Sequence, residues 1–276
     1  MTDSHCHLDR CADPEAAVDP GLVAMVTVGT DVERSRLAIA AARAHPNVYA
    51  AVGVHPNDAS RAADAATRAA ITDLAGDPLV VAIGETGFDR YWDDESPEAQ
   101  RFAFDWQLGL ARALGKPLVL HVRDKQGREE AALAAAAAIA GGGYGNGVLH
   151  CFSGHPELLA AGLAAGWYVS FAGNLTYKSA ADIRAAAARV PVERLLVETD
   201  SPYLSPMPLR GKPNSPANVR LTAAALADVL GADPEALERQ LDANAERCFG
   251  FAAARAARGR SDPEPPPPAA PSGTEA

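Results

Sequence analysis

Six side chains in this sequence could hold divalent cations if a fold brought them together: His5, His7, Glu85, His121, His150 and Asp200. His5 and His7 are one residue apart, and on a β-strand that spacing points both imidazoles to one face. Two neutral imidazoles converging from one short strand begin a metal site. A His-x-His pair taken alone is as readily an accident, so the other four decide. Each of them closes a short apolar run, where a strand would deliver it to a common rim. Four imidazoles and two carboxylates exceed what one tetrahedral site needs, and they suit two ions about 3.5–4 Å apart bridged by a carboxylate.

The elements that must position them follow from the apolar runs. After the His pair, strands are expected over Ala24–Val28, Val48–Val54, Leu79–Gly84, Leu118–Leu120, Val148–Leu149, Trp167–Phe171 and Leu195–Val197. Helical stretches separate them: one with Leu37 and Ile39 closing near His45-Pro46, others at about 59–75, 97–114 and 129–140, a short one from Pro156, and one at 179–189, with two more at about 216–230 and 234–248. The helix at 97 has a clear start, because Ser96 suits an N-cap and Pro97 the first helical position. Strands with continuous apolar sequence alternating with helices are the mark of a parallel sheet covered on both faces. Eight such units in about 250 residues predict an α/β fold, a (β/α)8 TIM-type barrel in a single domain over residues 1–258. An open doubly wound sheet is the competitor, and no G-x-G-x-x-G follows the first strand to support it. Residues 259–276 carry Pro263, Pro265–Pro268 and Pro271, and are expected to form a disordered Pro-rich tail.

Composition narrows the function classes. The 276 residues are 48% hydrophobic and 22% charged, with a formal net charge of −10, which argues against a surface that coats nucleic acid broadly. No apolar run reaches about 18 residues and no signal-peptide pattern opens the chain, so no membrane association is expected. Cys6, Cys11, Cys151 and Cys248 have no zinc-finger spacing and suit reduced thiols in a cytoplasmic protein, expected to be monomeric.

The motifs D-S-H-C-H-L-D (Asp3–Asp9), G-V-H-P (Gly53–Pro56), G-E-T-G (Gly84–Gly87), L-H-V-R (Leu120–Arg123), H-C-F-S-G (His150–Gly154) and E-T-D-S-P-Y-L (Glu198–Leu204) together resemble the TatD family. These are metal-dependent deoxyribonucleases among the amidohydrolase-like barrels. R-G-K-P-N-S-P-A-N-V (Arg210–Val219) and the ending Asn244–Arg247 are similar to that family too. The resemblance implies two divalent metal ions (Mg, Mn or Zn) and hydrolysis of DNA, single-stranded or at 3′ ends. It implies Glu85 as the bridge, with His5, His7 and Asp200 on one ion and His121 and His150 on the other. Only Met1 and Thr2 precede Asp3, and Asp242 stands where the family tends to have Thr.

Further roles follow from strand parity and rim position. Asp200, beside an acidified water, is the expected proton acceptor. Glu198 and Asp3 share parity with the ligands and are expected to accept the free N–H of ligating imidazoles. His55 is expected to contact substrate or a ligand, and His155 to sit near enough to touch substrate. Arg123, Arg210, Lys212 and Asn214 are candidates to hold phosphates, and Phe88, Tyr91 and Trp92 to stack on unpaired bases. Two other classes compete. One is an amidohydrolase-like enzyme acting on a small amide, lactone or phosphoester, disfavoured because no Lys lies on strand four to become a carbamylated bridge. The other is a metal-binding barrel whose main role is binding a partner protein.

Overall fold

The computed structural model describes residues 1–92 and 94–258. The expected Pro-rich tail, 259–276, lies outside them. Eight parallel strands pair in chain order: β1 (Thr2–Cys6), β2 (Ala24–Val28), β3 (Val48–Val52), β4 (Val80–Asp89), β5 (Leu118–Arg123), β6 (Gly147–Leu149), β7 (Tyr168–Phe171) and β8 (Leu195–Val197). Between and after them run α1 (Pro14–Ala17), α2 (Val32–Ala44), α3 (Ala65–Ala75), α4 (Pro97–Leu114), α5 (Glu130–Gly142), α6 (Pro156–Ala164), α7 (Ala181–Ala187), α8 (Val219–Leu230), α9 (Pro234–Phe249) and α10 (Phe251–Arg258). This is the TIM-type barrel that the alternation predicts.

Alternation along the strands divides the core in two. Val26, Tyr49, Val119, Val148, Tyr168 and Leu196 belong to a cluster that fills the barrel lumen together with Phe249 and Phe251. Their neighbours Met25, Val48, Leu118, Leu149, Val169 and Leu195 belong to the larger cluster shared with the helices. The segment just after β8 meets the end of β1 through backbone: Asp200 N–H donates to His5 O (2.9 Å) and His7 N–H to Ser201 O (2.8 Å). Ser4 Oγ adds a bond to Val197 O (2.9 Å). At the opposite end of β1, the Met1 ammonium pairs with Glu238 and Asp242, each at 3.0 Å, and Thr2 Oγ1 also donates to Asp242. The Asp that departs from the family pattern thus serves the start of β1.

Three elements differ from expectation for identifiable reasons. β4 continues past Gly84 to Asp89, because Gly84 and Gly87 permit a register shift rather than ending the strand. The helix expected at 59–75 is divided into a 3₁₀ turn, Pro56–Ala63, and α3. Asp64 divides it by capping α3, accepting from the Ala66 and Thr67 N–H groups. The helix α10 has no counterpart among the expected elements; its Phe251 and Ala254 are buried in the lumen cluster.

Candidate metal centre

The C-terminal ends of the strands gather the six expected residues at one mouth. The His5 and His150 rings stack with centroids 3.6 Å apart. His5 Nε2 lies 3.3 Å from His7 Nε2, 3.4 Å from Glu85 Oε2 and 3.8 Å from Asp200 Oδ1. His7 Nε2 lies 3.3 Å from Asp200 Oδ1. His121 Nδ1 meets Glu85 Oε1 at 2.7 Å, and His150 Nε2 lies 3.6 Å from the same oxygen. Glu85 is thus the hub. His150 packs on His5 rather than on His121, whose ring centroid is 6.1 Å away, while His121 packs edge-on with His55 at 4.7 Å.

Local sequence explains the hub's placement. A Cβ on Gly84 (φ +127°) would lie 2.6 Å from Val119 O, and one on Gly87 (φ +147°) 2.0 Å from His121 O. The two glycines of G-E-T-G therefore let β4 lie against β5 on both sides of Glu85, in a conformation closed to L side chains. Asp200 and Cys151 hold positive φ, 53° and 45°, without being glycine. Such backbone clusters at functional sites, where surrounding bonds over-determine it. For Asp200 those bonds include its own N–H to His5 O and the Tyr203 N–H returning to Asp200 O.

Hydrogen bonds fix the ring tautomers. Val28 O accepts from His7 Nδ1–H (3.0 Å), which leaves the Nε2 lone pair facing the cluster. His150 Nδ1 lies 2.7 Å from Glu198 Oε1, an ion-pair contact out of line for a good hydrogen bond, and its Nε2 likewise points inward. His55 is the opposite: its Nδ1 accepts from Asn57 N–H (3.1 Å), so its proton sits on Nε2, 3.5 Å from Glu85 Oε1. Glu85 Oε2 and His5 Nδ1 are buried without a hydrogen-bond partner. Unpaired carboxylate oxygen and convergent imidazole lone pairs are costly unless a cation or a proton joins them. The donor set therefore fits divalent ions: imidazoles and carboxylates suit Zn²⁺ or Mn²⁺, and the carboxylates admit Mg²⁺.

Among the protein groups alone, burial opposes charge on every member, and the partners decide. The neighbouring imidazoles of His55, His121, His150 and His5 overcome burial and hold Glu85 well below the usual carboxylate range. Burial also works against Asp200, but His7 and His150 keep it low. Glu198 overcomes burial to raise His150 to about 10, and Asp89 with Glu85 raises His121 to about 9. Burial lowers His5, aided by the charge of His150.

Around the cluster opens a cavity of about 1400 Å³. Arg123 and His155 line it as expected. Arg123 lies 3.9 Å over the Tyr91 ring and 5.9 Å from that of Trp92, and the two aromatics are 37% and 50% exposed. His155 Nε2 meets Glu129, while its Nδ1 caps α6. Glu198, fully buried, takes the place expected of it beside His150 and also accepts from Cys151 N–H.

Five expectations are corrected. Asp3 reaches no imidazole; its oxygens accept from the Thr199 N–H and hydroxyl and from the His5 backbone N–H, and burial raises it to about 8. Asn214 does not reach into the cavity but braces the loop after β8, donating to Thr199 O and Tyr203 O. Arg210 stacks over Tyr177 at 4.4 Å and, like exposed Lys212, is not on the cavity wall. Phe88 is 1% exposed and packs on Phe104. Asp89 was not anticipated: its Oδ2 meets His121 Nε2 at 3.0 Å. It shares parity with Glu85, a signal visible only once β4 is continued through its glycines. Tyr203, 48% exposed with its ring 6.1 Å from that of His7, is also on the wall.

The family model described as "TatD related DNase" matches residues 2–250. A protein of Mycobacterium tuberculosis named "uncharacterized metal-dependent hydrolase TatD" is 38% identical over 91% of this chain and 98% of its own length. A protein of Erwinia billingiae named "3′-5′ ssDNA/RNA exonuclease TatD" is 36% identical over 90% of this chain and 96% of its own. Among solved structures, the TatD homologue YJJV of Escherichia coli superposes with a TM-score of 0.78 at 26% identity, covering 91% of this chain and 98% of that one.

Proposed function

Since this chain belongs to the family of TatD-related DNases and is a metal-dependent hydrolase, we propose that it hydrolyses phosphodiester bonds in DNA, working inward from single-stranded 3′ ends. The observation that carries this is Glu85, buried at the hub of five imidazoles with one oxygen unpaired. His5, His7 and Asp200 would hold one ion, His121 and His150 the other, with Glu85 between them. When bound, the ions supply Lewis acidity and an acidified water.

The chain's own groups do the rest. Asp200, ionised on the cavity wall, orients the attacking water and takes its proton. Glu198 and Val28 O fix the ring orientations of His150 and His7. His55 presents an N–H toward Glu85 from the substrate side. Arg123, steadied over Tyr91, faces the cavity where a phosphate would lie. Trp92 and Tyr203 offer exposed ring faces to unpaired bases. A negatively charged chain can act on a polyanion because the ions and these few cations are local. The described residues contain no helix long and apolar enough to cross a membrane. With four free thiols, we place the reaction in the cytoplasm.

The test is an end-labelled single-stranded oligonucleotide incubated with the chelated chain and a panel of Mg²⁺, Mn²⁺ and Zn²⁺. Stepwise shortening from the 3′ end, abolished by chelation, is expected. Absence of cleavage with every ion, alongside turnover of a lactone or phosphotriester, would overturn the assignment.

A further inference from the structure

The face that α4 turns to the barrel contains Gln100 and Gln107, 1% and 0% exposed. Buried primary amides are uncommon and are costly unless fully paired. Seven residues apart, the two lie on one helix face. Gln107 Oε1 accepts from Val54 N–H (2.9 Å), and its Nε2 donates to Val54 O (3.0 Å) and to Thr86 Oγ1 (2.7 Å). Gln100 repeats the pattern one strand over: Oε1 accepts from Asp89 N–H (3.1 Å) and Nε2 donates to Asp89 O (2.9 Å).

Each glutamine thus grips both backbone groups of one residue, as a neighbouring strand would. They do so where β3 has just ended and where β4 ends, at the limit of the ladder. The approach is close, since a Cβ on Gly53 would lie 2.5 Å from Gln107 Oε1. What they grip bears on half of the centre. Val54 precedes His55, whose Nε2 faces Glu85 Oε1. Thr86 follows Glu85, and Asp89 meets His121 Nε2. Among the described residues, neither glutamine hydrogen-bonds to His5, His7 or Asp200 on the other half.

We propose that Gln107 and Gln100 are positioning residues that set the spacing of His55, Glu85 and the Asp89–His121 pair. Core packing alone would not need them, because an apolar side chain fills the same space without pairing with the strand ends. The inference rests on reading these groups as a metal centre.

The test uses the full chain with Gln107→Met, which keeps volume and deletes the bonds to Val54 N–H, Val54 O, Ala103 O and Thr86 Oγ1, and with Phe104→Leu as a purely apolar change on the same helix. Three readouts apply: histidine ring NMR signals in the chelated chain, Mn²⁺ titration, and kcat and KM on the end-labelled oligonucleotide. For Gln107→Met, the His55 and His121 signals move while His7 stays. Mn²⁺ affinity falls about 10- to 100-fold, and kcat falls comparably with KM within about threefold. Phe104→Leu moves none of these. Unmoved rings, equal movement of all seven histidines, or the same pattern in Phe104→Leu would overturn the proposal. If Gln107→Met does not fold, Gln100→Met decides on the His121 signal; if neither folds, the glutamines are structural and the proposal fails. A wild-type chain that binds no Mn²⁺ would instead sink the reading of the centre, and the ring signals would still judge the glutamines.

Discussion

The two mouths of the barrel are built on opposite principles. At the C-terminal mouth, buried histidines and carboxylates crowd together, Glu85 Oε2 and His5 Nδ1 lack hydrogen-bond partners, and Asp200 and Cys151 adopt backbone that most side chains avoid. At the N-terminal mouth, Phe251 of α10 enters the lumen against Tyr49, ring centroids 4.5 Å apart. Arg258 fastens that helix by donating to His45 O and Val48 O. One end gathers unpaired carboxylate and imidazole atoms and strained backbone; the other is closed by aromatic packing and the Arg258 guanidinium, of which only Nε is left without a partner. The difference teaches that stability and chemistry are separable here, as the layered barrel allows.

The largest expected break in this contrast is at the hub. Glu85→Ala should cut metal-dependent turnover by about 10³-fold or more, comparable to losing a preorganised electrostatic group. Melting of the chelated protein should change less than for any lumen truncation, read by circular dichroism. Next, Phe251→Ala should cost about 3–5 kcal/mol of stability, seen in urea unfolding, while Mn²⁺ affinity of the folded fraction stays within twofold of wild type, about 0.4 kcal/mol. Asn214→Ala blurs the division, because its amide holds Thr199 O and Tyr203 O on either side of Asp200. Both stability, by about 1–3 kcal/mol, and kcat should fall, measured on one preparation. Smallest is Arg258→Ala, expected to cost about 1 kcal/mol with unchanged turnover. A drop in kcat there would show that the mouths communicate.

The contrast also explains what the sequence discloses. Apolar runs closing on His, Glu or Asp are legible because a strand buried on both faces seldom carries a titratable group, and Asp3 within β1 is the exception that proved harder to read. The eight strands and the six residues that close their apolar runs were therefore readable. Asp89 was not, since two glycines look like a strand's end until the close approach of Val119 O and His121 O is known. Asp3 and Asn214 show the limit of parity: it gives the face, not the partner. Arg210 looks like a phosphate ligand until Tyr177 is seen beneath it. The plug at the N-terminal mouth was missed because α10 is eight residues of mostly alanine, whose place is set by one Phe and two Arg rather than by periodicity.

The bonds from Asp200 N–H to His5 O and from His7 N–H to Ser201 O have a consequence for biosynthesis. A ribosome exposes His5 and His7 almost two hundred residues before it makes the segment that clasps them. Until then the nascent polypeptide owns a pair of imidazoles but neither Asp200 nor the seam that turns them inward. Those two bonds cannot form before the segment carrying Asp200 and Ser201 has been made, so this seam is among the last parts of the barrel that the chain can close.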